Sequence, residues 1–325
     1  MIDTIYYESD VASHPRVRTI FERFLNARKI SVDRYTEVFN KRNQNFKLQK
    51  RNPALILAKK YKGFVLPAPL GFGIGGTKNF YFSHMYNCLY DCRYCFLQGM
   101  YSSANYVLFV NYEDFEKEIE STIKNYENES LTFFSGYDCD SLALENVTGF
   151  VSFILPLFRR YPKAYLELRT KSVQTAPLKS VKPLNNCVVA YSLMPEAMSA
   201  HLDSKAPSIK SRITAIKTLA ELGWNIGLRF DPIIHGKDWK LFYRSLIEQV
   251  FSEVSPDSIH SISFGALRFP KAMFKKVHKL YPDEILFSGP LSKNGGSVSY
   301  NRGIESEMIE FCQKLVQLYV PESIV

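Results

Sequence analysis

The sequence predicts an α/β fold: an open partial barrel of six βα units, a TIM-type (βα)6 arrangement, with an α/β extension before it and a hairpin and helix after it. Short apolar runs rich in Val, Ile, Phe, Tyr and Leu alternate with helical stretches along most of the 325 residues, which favours parallel βα units. Six units are fewer than the eight of a closed barrel. A hydrophobic fraction of 46% with 22% charged residues indicates a chain that buries a core and excludes a disordered or fibrous one.

The N-terminal segment, residues 1–75, is predicted to contain a helix, a short strand and a basic loop. Eleven Lys or Arg lie between Arg28 and Lys62 against only Asp33 and Glu37, so this stretch carries +9, which equals the net charge of the whole chain. A local surplus of this kind attracts polyanions, and DNA is the expected partner. The aromatic residues interleaved with the basic ones suit stacking on bases as well as packing. A solvated basic surface without a partner is the alternative.

The partial barrel is predicted over residues 76–285. One of its helices places Ile213, Ile216 and Leu219 on a single apolar face. Because the loops that follow parallel strands gather at one end of such a fold, polar and sulfur residues after the strands are the candidates for a site. The strands are expected at residues 80–83, 131–135, 164–169, 187–192, 225–230 and 261–264, and the helices at 112–125, 144–160, 208–222, 239–252 and 271–280.

Residues 286–325 are predicted to form a hairpin and a helix, with a tight turn at Asn294-Gly295-Gly296. No apolar run approaches the roughly 18 residues that a membrane span requires, and no apolar leader opens the chain. We therefore expect a cytoplasmic protein without membrane contact. In a reducing compartment six cysteines do not build a disulfide framework, and a tight cluster among them indicates metal binding or catalysis.

Three cysteines follow the first predicted barrel strand with the spacing C-x3-C-x2-C: Cys88, Cys92 and Cys95. Three thiolates on so short a loop can close on one metal centre with little loop-closure cost. A structural zinc takes four protein ligands, and only His84 is near enough to complete such a site locally. An iron–sulfur cluster held by three cysteines leaves one iron open to an exogenous ligand. The spacing therefore favours a [4Fe-4S] cluster, with structural zinc and unrelated core cysteines as alternatives.

This motif, with the aromatic Tyr94 before the third cysteine and its place after the first strand of a six-unit pattern, resembles the signature of the radical S-adenosylmethionine enzymes. Further matches over most of the chain are similar to the spore photoproduct lyase family. That family consists of radical-type DNA repair lyases and their relatives, which reverse a methylene-bridged thymine dimer with a 5′-deoxyadenosyl radical and without light. The matching runs are Ile5-Tyr6-Tyr7-Glu8, Cys95-Phe96-Leu97-Gln98, Arg169-Thr170-Lys171 and Pro232-Ile233-Ile234-His235-Gly236, with Trp239 and Tyr243 beyond them.

The resemblance implies that Cys88, Cys92 and Cys95 bind the cluster, that S-adenosylmethionine chelates its open iron, and that an external donor such as a flavodoxin or ferredoxin supplies electrons. The remaining cofactor contacts are expected at strand ends: a cation for the methionine carboxylate, a hydroxyl, a ring against the cofactor, and carboxylates for the ribose hydroxyls. The residues in these positions are Lys171, Ser192, Tyr94, Asp138 and Asp140. Arg229 and Asp231, which close the fifth strand, are expected to pair with each other or to contact the cofactor.

The chain departs from the family at the step that returns a hydrogen atom to the product radical. The lyase has a cysteine at the position of Tyr137, and the nearest thiol here is Cys139, two residues later. The lyase tyrosine after the third cluster cysteine is replaced by Phe96, which has no O–H. Tyr137 and Cys139 are therefore the candidate hydrogen-atom donors, and they point to the same side if the second strand stays extended through them.

Three functions are compatible with these observations. The first is a radical lyase of this family that acts on thymine dimers in damaged DNA. The second is a radical enzyme with the same scaffold and another substrate, a modified nucleic acid or a small molecule, which the changes at Tyr137 and Phe96 favour. The third is a non-catalytic, zinc-bearing protein that binds nucleic acid. Metal content separates the third from the others, since a cluster brings iron and a structural site brings zinc.

Overall fold

The computed structural model describes residues 2–69 and 71–325; Met1 and Leu70, both inside the predicted 1–75 segment, lie outside the described residues. The strands are β1 (Thr4–Glu8), β2 (Arg28–Val32), β3 (Leu55–Ala58), β4 (Leu66–Pro67), β5 (Lys78–Phe82), β6 (Met85–Tyr86), β7 (Asp91–Cys92), β8 (Tyr106–Phe109), β9 (Leu131–Ser135), β10 (Ala164–Thr170), β11 (Cys187–Ser192), β12 (Asp203–Ser204), β13 (Asn225–Ile233), β14 (Ile259–Ala266), β15 (Arg268–Pro270), β16 (Leu291–Asn294) and β17 (Ser297–Tyr300). The helices are α1 (Pro15–Arg23), α2 (Phe46–Gln49), α3 (Leu97–Met100), α4 (Tyr112–Asn125), α5 (Glu145–Thr148), α6 (Phe150–Arg160), α7 (Ala176–Lys179), α8 (Glu196–Leu202), α9 (Ile209–Glu221), α10 (Trp239–Glu253), α11 (Lys271–Leu280) and α12 (Arg302–Val316).

The predicted α/β class is confirmed, and its parallel strands are consistent with a partial barrel. All six predicted barrel strands are found, as β5, β9, β10, β11, β13 and β14. The single helix expected over residues 144–160 is wrong, because the stretch forms two helices, α5 and α6. Gly149 separates them with a φ of 60°, a left-handed conformation that glycine adopts without strain. Glu145 then caps α6 by accepting hydrogen bonds from the N–H groups of Val151 and Ser152 at 3.1 and 3.0 Å.

The chain divides into two compact units, of which the first runs to Leu89 and resumes from Met100 to Leu166. It contains a sheet of order β2-β1-β3-β8-β6, parallel except where β6 meets β8. All residues of β3 and β8 are buried, so these strands form the centre of the sheet, whereas β2 is an exposed edge. The barrel strands β5 and β9 also belong to this unit and pair in parallel, with β4 antiparallel to β5.

The second unit comprises Tyr90–Gly99 and Glu167–Val325. Its strands follow the order β14-β13-β11-β10, with β10 entering the unit at Glu167. Strand β13 pairs in parallel with both β11 and β14, and every residue of β11 is buried. Helix α9 buries Ile213, Ile216 and Leu219, which confirms the predicted helical face. The predicted hairpin is formed by β16 and β17, and β15 adds a third antiparallel strand to it.

The predicted division into residues 1–75, 76–285 and 286–325 stays a prediction. Over residues 2–69 and 71–325, the structure has no helix that is both long enough and apolar enough to cross a bilayer. Polar residues follow β5 and β9 in the first unit and β10 in the second, and Ser192 is the last residue of β11. The expected functional side chains lie at these strand ends.

Candidate functional site

The three-cysteine loop begins after β6 and ends at α3. Asn87 adopts a left-handed conformation with a φ of 66°, and its side-chain amide donates to two backbone carbonyls of the segment 103–105 at 2.8 and 2.7 Å. These bonds fix the turn that presents Cys88. Cys92 is buried, whereas Cys88 and Cys95 are partly exposed, and none of the three forms a disulfide with another described residue.

The donor set of this loop fits an iron–sulfur cluster by its chemistry. Thiols are the usual ligands of such clusters, and two of the three are accessible from outside. Cys88 belongs to the first unit, and Cys92 and Cys95 belong to the second. In the part of the chain that the structure describes, no three His, Cys, Asp or Glu side chains are already gathered in a metal-binding geometry. The fit is therefore one of ligand type and accessibility.

A short strand pairing holds the second half of the loop. Strand β7 pairs antiparallel with β12, so that Cys92 lies opposite Asp203. The N–H of Arg93 donates to the carbonyl of Leu202 at 2.8 Å. Two consecutive residues of the cysteine loop thus take their backbone position from the segment 202–204, which consists of the last residue of α8 and strand β12.

The carboxylate of Asp203 is the centre of a buried network. It accepts a hydrogen bond from the Tyr94 hydroxyl and a second one from Ser199 at 3.2 Å. The Arg212 guanidinium pairs with it at 2.7 Å, and both side chains are almost completely buried, at 0% and 1% exposed. Arg212 also donates to the carbonyl of Ser192 at 3.1 Å. The network therefore joins Tyr94 to the end of β11, where the predicted cofactor hydroxyl stands.

Lys171 directly follows β10, one residue closer to the strand than predicted, because β10 extends through Thr170. Its ammonium lies 5.5 Å from the centre of the Tyr94 ring. Burial lowers the pKa of Lys171, but the negative charges of Cys92 and Asp203 outweigh burial, so that the pKa is raised. Lys171 thus stays a cation beside the cysteine loop, as a carboxylate-binding role requires. The structure brings Tyr94, Lys171 and Ser192 into one neighbourhood of the second unit.

The remaining predicted contacts follow β9 in the first unit. Asp138 is only 5% exposed, and burial raises the pKa of its carboxyl, an effect that Ser83 and Lys60 offset in part. Asp140 has a structural task, since its Oδ1 accepts hydrogen bonds at 3.0 and 2.9 Å from the backbone N–H groups of residues 142–143.

Several buried polar atoms at this strand end have no hydrogen-bond partner among the described residues. They include Oδ1 of Asp138 and the hydroxyls of Ser135 and Ser141. A buried acceptor without a donor costs free energy, so such atoms mark a place where a ligand is expected to complete the hydrogen bonding. A ligand with hydroxyl groups, such as a ribose, fits this arrangement.

Tyr137 and Cys139 do not continue the strand. Gly136 has a φ of 87° and ends β9, and the next three residues form a bend, so the expectation that both side chains share one side of an extended strand is not met. The Tyr137 ring is partly exposed and stacks on Tyr81 with centroids 4.3 Å apart. Cys139 is buried, and burial, with the Cys88 charge second, raises the pKa of its thiol well above the usual value. The S–H bond of Cys139 is thus intact at neutral pH.

The basic segment Arg28 to Lys62 is less uniform than the sequence suggests. The side chains of Lys50 and Lys60 are buried, and eight of the eleven basic residues are exposed: Arg28, Lys29, Arg34, Lys41, Arg42, Lys47, Arg51 and Lys62. Phe39 and Phe46 are 4% and 7% exposed, so they pack in the core and cannot stack on bases. Tyr61 is exposed, but the Arg34 guanidinium covers its ring at 4.4 Å.

Lys60 is the clearest exception in this segment. Its Nζ donates to the Tyr86 hydroxyl at 3.1 Å and to the Ser83 carbonyl at 3.4 Å, and it lies 4.7 Å from the centre of the Phe109 ring. Burial lowers the pKa of Lys60 to about 8, although Asp138 acts in the opposite direction. Lys60 therefore supports the segment that leads into the cysteine loop.

The expectation that Arg229 and Asp231 pair with each other is wrong. Arg229 is completely buried and pairs with Glu167 on β10 at 2.8 Å. Asp231 instead pairs with Arg268 at 3.1 Å. Residues 229 and 231 alternate along β13 and therefore share a face of the strand. Their side chains nevertheless pair with opposite charges on other elements, Glu167 and Arg268.

Sequence analysis missed Asp203, Arg212 and the burial of Lys60. Asp203 lies 109 residues from Tyr94, and no spacing or motif links the two positions. The one available signal was the position of Arg212 on the apolar face of α9, three residues after Ile209 and four before Ile216, where a charge needs a buried partner.

The sequence matches the family described as spore photoproduct lyase over residues 1–288. Spore photoproduct lyase of Bacillus subtilis (strain 168) is 23% identical over 198 residues, and that of Geobacillus sp. (strain Y412MC61) is 20% identical over 198 residues. Each match covers 60% of this chain and 58% of the relative, so the chain spans less than two thirds of the length of these curated relatives.

Solved structures of spore photoproduct lyase share the fold. A doubly substituted variant with bound S-adenosylmethionine and dinucleoside spore photoproduct has a TM-score of 0.87 at 15% identity, covering 99% of this chain and 97% of that chain. Spore photoproduct lyase complexed with dinucleoside spore photoproduct has a TM-score of 0.84 at 16% identity, with the same coverage. The likeness extends over both units and agrees with the predicted partial-barrel class.

Proposed function

Because the chain belongs to the spore photoproduct lyase family, we propose that it is a radical S-adenosylmethionine lyase that repairs thymine dimers in damaged DNA. The observation that carries the proposal is the cysteine loop with its surroundings. Three cysteine thiols, two of them accessible, lie on one loop, and a lysine cation and a tyrosine ring lie beside two of them. This combination suits a cluster with one open iron better than it suits a closed zinc site.

Cys88, Cys92 and Cys95 are the proposed cluster ligands. A bound [4Fe-4S] cluster, reduced by an external flavodoxin or ferredoxin, supplies the electron that cleaves S-adenosylmethionine to a 5′-deoxyadenosyl radical. Lys171 holds the methionine carboxylate of that cofactor, because its ammonium stays charged beside the loop. Ser192, at the end of β11, offers its hydroxyl to the same cofactor.

Tyr94 and Asp138 are the remaining proposed cofactor contacts. The Tyr94 ring packs against the cofactor, with its hydroxyl anchored on Asp203. Asp138 accepts hydrogen bonds from the ribose hydroxyls, which satisfies its unpartnered Oδ1. Asp140 contributes less directly, since its capping bonds hold the turn that follows.

Hydrogen return to the product radical is assigned to Cys139 and Tyr137. Breaking the S–H or O–H bond and forming a C–H bond on the substrate leaves a thiyl or tyrosyl radical. The external donor then returns that residue to its resting state with one electron, and solvent returns one proton. Cys139 is the better placed of the two to keep its hydrogen until needed, because its thiol is buried and protonated.

The DNA substrate class is supported by the family and by the solved structures of spore photoproduct lyase with dinucleoside spore photoproduct. The exposed basic residues between Arg28 and Lys62 form the proposed DNA surface.

We also place the protein in the cytoplasm, where thiols stay reduced. A radical enzyme acting on another substrate is the second candidate, favoured by Tyr137 and Phe96 at positions where the lyase has cysteine and tyrosine.

The test is to reconstitute the protein anaerobically, reduce it, and supply S-adenosylmethionine with a duplex that carries spore photoproduct. We expect iron in the protein, formation of 5′-deoxyadenosine and release of intact thymines. Cys92→Ala should abolish cofactor cleavage, whereas Cys312→Ala, which changes a buried cysteine on α12, should retain it. Cleavage of the cofactor without thymine formation selects the second candidate. One zinc and no iron per chain contradicts radical chemistry altogether.

A further inference from the structure

We propose that Asp203 and Arg212 are positioning residues: together they hold Tyr94 and the backbone of the cysteine loop in place for the cofactor. The inference rests on the proposed function, which assigns the three cluster ligands to the cysteine loop. Neither residue lies in one of the sequence motifs described above. Their action is through the elements that they join.

The first step in the argument is the convergence of donors on one buried carboxylate. Asp203 receives the Tyr94 hydroxyl, the Ser199 hydroxyl at 3.2 Å and the Arg212 guanidinium at 2.7 Å. The side chains of Asp203 and Arg212 are 1% and 0% exposed, so removing one partner of this buried pair leaves an uncompensated charge.

The second step is the backbone. Asp203 is the residue opposite Cys92 in the β7–β12 pairing, and the next N–H, that of Arg93, bonds to Leu202. The same residue thus fixes the loop twice, through its main chain at Cys92 and through its side chain at Tyr94. A change at Asp203 is expected to loosen both together.

The third step is the reach of Arg212. Besides Asp203 it donates to the carbonyls of Ser192 at 3.1 Å and Pro207 at 2.9 Å. It therefore ties the end of β11 to the segment that carries Asp203. Through the Tyr94 ring the network also lies beside Lys171, so three predicted cofactor residues take their relative positions from one buried pair.

The first test uses cluster-free protein and hydrogen–deuterium exchange of residues 90–99. Asp203→Asn should speed exchange of the Arg93 amide at least about tenfold, because losing one charge of a buried pair weakens the local structure by more than the ~1.4 kcal/mol that a tenfold change represents. Tyr94→Phe should speed it less, and the double variant should be no faster than Asp203→Asn. Glu167→Gln, which breaks the equally buried pair with Arg229, is the matched control and should leave this segment unchanged.

The second test uses the iron-loaded protein and measures the midpoint potential of its cluster. Asp203→Asn removes a negative charge near the loop and should raise the potential, whereas Arg212→Gln removes a positive one and should lower it. The double variant should return towards the parent value. A purely structural role would move both single variants in the same direction, because each would only expose the cluster to water.

The outcomes separate this inference from the proposed function. Parent-like exchange of residues 90–99 in Asp203→Asn, or equal acceleration in Glu167→Gln, overturns the positioning role whether or not iron binds. A parent protein that assembles no cluster overturns the proposed function, and the exchange result then still decides what holds the loop.

Discussion

At the scale of single residues, Lys60 is a lysine that is buried and holds the segment before the cysteine loop through hydrogen bonds. Its charge lies among Tyr86, Phe109 and the Ser83 carbonyl, with Asp138 and His84 as the neighbouring titratable groups. The protein keeps a lysine where an apolar residue would cost less to bury. The hydrogen bonds to Tyr86 and Ser83, just before Cys88, are the gain that offsets this cost.

The first prediction concerns the pH dependence that follows from Lys60. Burial lowers its pKa from 10.5 to about 8 in the folded state, so between these values the unfolded chain binds more protons than the folded one. The contribution of Lys60 to the free energy of unfolding should therefore rise with pH across this window, by at most about 3 kcal/mol. Lys60→Met should remove this rise, and Lys62→Met, which changes an exposed neighbour, should retain it. Urea unfolding at pH 7 and pH 10 measures both, and a parallel pH response in Lys60→Met and the parent would contradict the burial of this charge.

The second prediction distinguishes the two proposed hydrogen-atom donors, Cys139 and Tyr137. Cys139→Ala should leave formation of 5′-deoxyadenosine intact but divert the substrate radical, so that thymine is replaced by mis-quenched adducts. Tyr137→Phe should have a smaller effect on the product, because the Tyr137 ring is held in a stack on Tyr81. The two variants are compared by product analysis on a duplex that carries spore photoproduct. If Cys139→Ser behaves like the parent, the thiol is dispensable and the assignment moves to Tyr137.

At the scale of elements, the sequence predicted what depends on local patterns. The six barrel strands are short apolar runs, and the cysteine loop is a contiguous motif, so both can be predicted from the sequence alone. The division of residues 144–160 into two helices was missed, because the effect of Gly149 depends on a left-handed φ that Glu145 supports from its own side chain. The pair of Asp203 and Arg212 was missed because the sequence shows neither the burial of these side chains nor their contacts with distant segments.

The third prediction concerns the packing of α3, which follows Cys95. A Cβ on Gly99 would lie 2.7 Å from the Met273 carbonyl oxygen, a backbone atom of α11 that cannot move independently. Gly99→Ala should therefore push α3 away from α11, lower the iron content after reconstitution and cost about 1–3 kcal/mol of stability. Gly296→Ala is the matched control, since no atom lies within 4 Å of its added Cβ. Full iron loading in Gly99→Ala, measured with the melting temperature, would show that the contact is not needed to place the loop.

At the scale of the whole molecule, the distribution of charge matters more than its sum. The net charge of +9 equals the surplus between Arg28 and Lys62, so the rest of the chain is balanced overall. Two basic surfaces nevertheless exist among the described residues, since α11 exposes Lys271, Lys275 and Lys279. If net charge alone attracted the protein to DNA, neutralising either surface would weaken DNA binding equally.

The last prediction uses this difference. Reversing Lys41, Arg42 and Arg51 to Glu lowers the net charge from +9 to +3, and so does reversing Lys271, Lys275 and Lys279. If the N-terminal segment contacts the phosphates, only the first variant should lose the salt dependence of duplex binding, by about 0.9 in the slope of log affinity against log salt for each contact removed. Binding titrations of an undamaged duplex over a range of salt concentrations give the slopes. Equal flattening in the two variants would assign the attraction to net charge, and a slope lost only in the second would move the DNA surface to α11.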